Sequence, residues 1–237
     1  MPIHRVNPAR RLALESPWLP LALVAVAFGI VEGSLVTVLR LWLDPRAEAF
    51  PLVALPAAVS GLERTREAAT MVLLASAAHL AAKLPSARFA AFLFLFSVWD
   101  LVYYATLRLT LGWPDGLGTW DLLFLLPVPW LAPVYAPLSI ALVMLGVGIV
   151  TLRHTLRHGA FEVRPLHVAA GVLGGLACIW SFVENENARA LRSMPPRYAI
   201  EWLVLGLGLG LAGFADAARR NRRRVRRGAS ITAGAEA

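Results

Sequence analysis

The stretch ARFAAFLFLFSVWDLVYYATLRLTLGWPDG, residues 87 to 116, decides the fold. Its first part is apolar apart from Arg88 and Ser97. The run is long enough to cross a bilayer, since a helix needs about 20 residues for about 30 Å of hydrocarbon. Pro114 and Gly116 then favour a turn. Asp100 falls near the middle of the segment. A carboxylate at that depth costs about 2.5–3.5 kcal/mol on insertion scales, so a partner or a function must offset it.

Outward from this stretch, apolar blocks of similar length recur. They predict six spans, at roughly 17–43, 58–83, 87–112, 133–153, 166–186 and 197–218. The 237 residues are 58% hydrophobic and 16% charged, against about 25% charged in soluble domains. A transmembrane β-barrel would show alternating strands of about ten residues, and the sequence has none. The expected fold is all-α: a polytopic transmembrane helical bundle at 17–218. A short segment, 1–16, precedes it and a basic tail, 219–237, follows. The start mimics a signal peptide, but its apolar run continues toward Arg40 without a cleavage site, so it reads as a retained span.

One piece, TWDLLFLLPVPWLAPVYAP at 119–137, breaks the pattern. Pro127 and Pro129 disfavour helix at Leu126 and Val128. The expectation is a short interfacial or re-entrant helix at 119–126, an extended PVPW, and a fresh helix with Pro133 in its first turn.

The formal charge is +8, and much of it is the tail ARRNRRRVRR at 218–227. No recognition fold accompanies that run, which argues against nucleic acid. A basic run directly after an apolar span points to anionic lipid on the cytoplasmic side. Lys83, Arg88, Arg153, Arg157 and Arg164 fall on the same side as the tail. Both termini are therefore expected to be cytoplasmic, with the acids gathered toward the outer face.

The candidate site residues follow from these spans. Glu32 lies in the first span between Gly29 and Gly33, a spacing that brings helices close. Asp100, Tyr103 and Tyr104 share a helix face, with Ser97 and Arg108 extending the stripe. Tyrosine hydroxyls there can donate to a carboxylate. In GLERTREAAT, Glu63 and Glu67 are four apart and Arg66 can pair with Glu63. Asp121, the ENEN of 184–187, and Arg197 with Glu201 are further walls of an outer-facing polar site. Glu32/Arg40 and Asp100/Arg108 repeat an acid followed by an arginine eight residues later. The single cysteine, Cys178, excludes an intramolecular disulfide and a cysteine metal site. His79 and His167 in principle flank a haem, but nothing fixes a facing geometry, so no cofactor or metal is expected. GLGLGLAG reads as a packing face, because no strand precedes it.

The ordered set VEG, ERTREAAT, WDLVYY, GWP and WDLLFLLPVPWLAP resembles a family of uncharacterised multi-pass bacterial membrane proteins. The resemblance covers roughly residues 25 to 145. It implies a bacterial inner membrane and supplies no activity, substrate or cofactor. Three functions are compatible with the residues. The foremost is transport-type handling of protons, ions or a small polar solute, suggested by mid-membrane acids and a broken helix. The second is a structural or assembly subunit of a membrane complex or homo-oligomer. The third is a membrane-embedded enzyme with an outer acidic site.

Overall fold

The computed structural model describes residues 18–43, 57–184 and 197–235. Within them the chain forms α1 (Trp18–Leu43), α2 (Ala57–Ala81), α3 (Pro85–Leu111), β1 (Trp120–Phe124), β2 (Trp130–Pro133), α4 (Tyr135–His158), α5 (Pro165–Val183) and α6 (Ile200–Ala235). The bundle is helical, as the hydropathy blocks require. Five of these helices, all but α2, are long and apolar enough to cross a membrane. The first half of α2, with Glu63, Arg64, Arg66 and Glu67, keeps it from matching them.

Local chemistry sets the ends of α3. Pro85 occupies its first turn, where a missing N–H costs nothing. Gly112 closes it in the left-handed region at φ 70°, and its N–H bonds to the Arg108 carbonyl at 3.1 Å. That conformation is disfavoured for any residue with a Cβ. The Arg108 guanidinium folds over the same end and donates to the Gly112 and Pro114 carbonyls.

The expected short helix at 119–126 is not formed. The segment is instead strand β1, paired antiparallel with β2 in the register Trp120↔Pro133, Asp121↔Ala132 and Leu122↔Leu131. A helix of so few residues is marginal, because its first turn fixes several dihedrals for one hydrogen bond. Pro127 and Pro129 leave it no room to grow. As strands, the aromatic and leucine side chains pack on both sides, and the prolines fall in or next to the turn, where no ladder donor is needed. Pro133 accordingly ends β2, and the next helix starts at Tyr135 and runs to His158. α6 continues through the arginines of the tail to Ala235. The segment 1–16 and most of ENEN lie outside the described residues.

α3 is the centre of the first half and packs on α1, α2 and α4. Leu21, Ala25, Leu74, Phe94, Leu95 and Leu152 form its core. Gly29 and Gly33 make the close approach of α1 possible. A Cβ at Gly29 would sit 2.8 Å from the Trp99 carbonyl oxygen, and one at Gly33 would sit 2.7 Å from Thr106 Cβ. α5 and α6 form a second close pair through Gly174 and Gly206. A Cβ at Gly206 would lie 2.5 Å from the Gly174 carbonyl oxygen. The hairpin joins the halves, since Trp120 meets Tyr198 edge-on and Trp130 packs on Phe182.

The connections sort to two ends. Phe161 N–H donates to Ser86 Oγ, and Asn221 brackets Glu162, accepting its N–H and donating to its carbonyl. The α2–α3 turn, the α4–α5 connection and the basic part of α6 are thus at one end. The hairpin and the start of α6 are at the other.

Candidate functional site

The sequence-selected polar residues converge between α1, α2, α3 and β1. Arg66 on α2 is the hub. It forms an ion pair with Glu32 of α1, and its Nε donates to Glu63 Oε2 at 3.0 Å. Glu63 and Arg66 are one helical turn apart, so their pairing is local, whereas the Glu32 pair crosses helices. Glu67, 5% exposed, accepts the Leu125 N–H with both carboxylate oxygens at 3.0 and 2.9 Å. Those bonds serve a backbone donor left where β1 ends before Pro127.

Asp121 on β1 forms a second cluster. Its Oδ1 accepts from Arg40 Nη2 at 2.9 Å and its Oδ2 from the Tyr104 hydroxyl at 2.9 Å. The Leu122 N–H adds a third bond. Burial pushes the Asp121 carboxyl above the usual aspartate range, while Arg40, the Tyr104 hydroxyl and the Leu122 N–H pull it back. Arg40 also lies over the Trp113 ring, 3.7 Å from its centre, an arrangement that favours a cation. The aromatic side chains continue inward along α3, Trp113 to Tyr104 to Tyr103 to Trp99.

Asp100 stands apart. It is 9% exposed, and its Oδ2 has no hydrogen-bond partner among the described residues. The expectation that tyrosines on its own face serve it does not hold for Tyr104, whose hydroxyl goes to Asp121. The neighbouring indole N–H of Trp99 and that of Trp130 also lack an acceptor among the described residues. An unsatisfied buried polar group costs about 1–3 kcal/mol.

These groups share a cavity of about 390 Å³. Glu32, Arg66, Glu67, Asp100, Tyr103, Tyr104 and Asp121 all line it. Its remaining wall is apolar and comes from the hairpin, α4 and the glycine faces of α5 and α6. Two selected residues lie elsewhere. Arg108 is exposed and caps α3, and Glu63 touches the cavity only through Arg66. Arg197 pairs with Glu201 at 3.2 Å on the exposed surface. His79 is exposed, and His167 bonds Asp216 at 2.9 Å, so the two do not face each other across a site. No group of three or more potential metal ligands occurs among the described residues.

Sequence reasoning missed Arg40 as the partner of Asp121, and Trp99 and Trp130 as cavity residues. Arg40 was visible as a charge at the end of a span and in the eight-residue spacing from Glu32. Pairing it with a residue 81 positions later needs the hairpin. Compared with known proteins, the chain matches no family model, no curated protein and no solved structure.

Proposed function

We propose that the chain is a transport-type protein of a bacterial inner membrane that receives a proton or a small cationic solute at Asp100. On this reading all six helices span, both termini are cytoplasmic, and the arginines of α6 lie against anionic lipid. α2 supports the sixth span by its length, about 37 Å at ~1.5 Å per residue, and by its antiparallel packing on α3. Where its charged residues meet the bundle, Arg66 is ion-paired with Glu32 and Glu67 accepts the Leu125 N–H. The even alternation of connections agrees.

One observation carries the functional reading. Among the cavity acids, Glu67 and Asp121 accept hydrogen bonds and Glu32 is ion-paired with Arg66, whereas Asp100 Oδ2 has neither among the described residues. An ionisable side chain left open on a cavity inside a span is placed to bind rather than to hold helices together.

Asp100→Asn tests it, because the amide keeps the volume and removes the titrating charge. Folded yield from size-exclusion chromatography is measured first, then dye-reported proton uptake into proteoliposomes. The variant should fold at wild-type yield and lose uptake. Asp100→Leu should lose uptake as well. Full yield with full uptake in both variants would sink the proposal.

A further inference from the structure

The polar end of the cavity carries four carboxyl groups, from Glu32, Glu67, Asp100 and Asp121, against one lining cation, Arg66. Arg66 is shared between Glu32 and Glu63, and Arg40 is taken by Asp121. Among the described residues no positive side chain on the cavity is left for Asp100, so an anionic ligand would meet uncompensated acids. Phe96, Trp99, Tyr103 and Tyr104 stand around the same end. Aromatic faces beside a carboxylate suit an organic ammonium, whose charge is attracted to the ring faces. A small metal ion needs several oxygen ligands converging on one point, and no group of three or more potential metal ligands occurs among the described residues.

The far wall has a different character. Gly171 and Gly175 of α5 and Gly210 of α6 line the cavity, and a Cβ at any of them would meet nothing within 4 Å. They border open space, unlike Gly174 and Gly206, which lock α5 to α6. Gly171, Gly175 and Ile179 line the cavity and are also exposed at the molecular surface. The apolar part of the cavity therefore reaches the outside of the bundle along α5, opposite Ile140 and Met144 of α4.

Resting on the proposal that Asp100 receives a cation, we infer that the ligand is a lipophilic amine, one ammonium group on a hydrocarbon body. The ammonium sits at Asp100 among the aromatic rings. The body lies along the glycine wall and enters sideways from the hydrocarbon layer, between α4 and α5.

The test uses the full chain in nanodiscs, with tryptophan fluorescence as readout and octylamine, butylamine and octanol as probes. Octylamine should bind saturably and octanol should not. Asp100→Asn should weaken both amines about tenfold or more, as expected for losing one partner of a buried charged contact. Gly175→Leu fills the apolar part, so the ratio of octylamine to butylamine affinity should fall about tenfold, the loss of a few buried methylenes. Partition into the same bilayer cancels between wild type and variant. Gly171→Leu, one turn away, replaces Gly175→Leu if folded yield drops. If Asp100→Asn weakens both amines while neither leucine variant alters the ratio, the cation site stands and the lipophilic ligand is wrong. If no amine binds saturably while proton uptake persists, the site takes only protons and the inference is overturned. Octanol binding as tightly as octylamine overturns both.

Discussion

Asp121 is 1% exposed and accepts three hydrogen bonds, one of them from a guanidinium. Removing one member of such a pair leaves the other charge without compensation, at a cost of about 3–5 kcal/mol. Asp121→Ala should therefore lower the thermal unfolding midpoint clearly. Asp121→Asn should lower it less, because the amide oxygen can still accept from Tyr104. The double variant Arg40→Leu/Asp121→Leu should recover part of the loss. An Asp121→Ala protein that melts with wild type would show that the pair contributes nothing. At this scale the sequence revealed which residues were unusual but not who meets whom. Asp100 and Asp121 both follow a tryptophan in a WD pair, yet one is enclosed by donors and the other is left open. The difference comes from the hairpin, which delivers Asp121 to Tyr104 and Arg40.

The helices were legible as elements because a bilayer-length apolar block has few other uses. Their small-residue faces were legible too, since Gly29 and Gly33 in α1 and the glycines of α6 fall at packing spacings. The hairpin was not. Its leucines suit a short helix as well as a strand, and the deciding facts are non-local: a partner strand after Pro129 and a glutamate 58 residues earlier that accepts the Leu125 N–H. The glycines of α6 allow a test within one repeat. A Cβ at Gly206 would lie 2.5 Å from Cys178 Sγ, whereas one at Gly208 would meet nothing within 4 Å. Gly206→Ala should force α5 and α6 apart and destabilise the protein by about 1–3 kcal/mol, the usual range for overpacking. Gly208→Ala should be neutral or should stabilise by up to about 1 kcal/mol, since glycine is a poor helix former. Unfolding midpoints compared side by side decide it, and equal shifts in the two variants would remove Gly206 from the interface.

For the molecule as a whole, the number of crossings fixes the side on which each end emerges. If α2 spans with the other five helices, a reporter active only in the periplasm should be silent when fused after Ala237. It should be active when inserted at Gly116, between α3 and the hairpin. If α2 lies flat, an odd number of crossings puts the two termini on opposite sides. A periplasmic signal from a reporter at one terminus or the other would then appear, and the six-span reading would fall. Composition indicated the bilayer and the arginine pattern indicated a direction. What composition could not indicate is how a helix as polar as α2 joins the bundle, because its partners come from α1 and from Leu125, just after β1.

The Glu32–Arg66 pair joins helices that the ribosome makes at different times. α1 is complete before Arg66 is synthesised, and Leu125 follows later still. Biogenesis therefore acquires an order. If α2 spans, α1 waits in the bilayer with an acid exposed until α2 arrives, and that acid helps to retain α2. In Glu32→Leu, α1 should insert more readily while α2 is held less well, so the same reporter at Gly116 should give a mixed population of topologies. An unmixed signal would mean that α2 is secured by α3 alone.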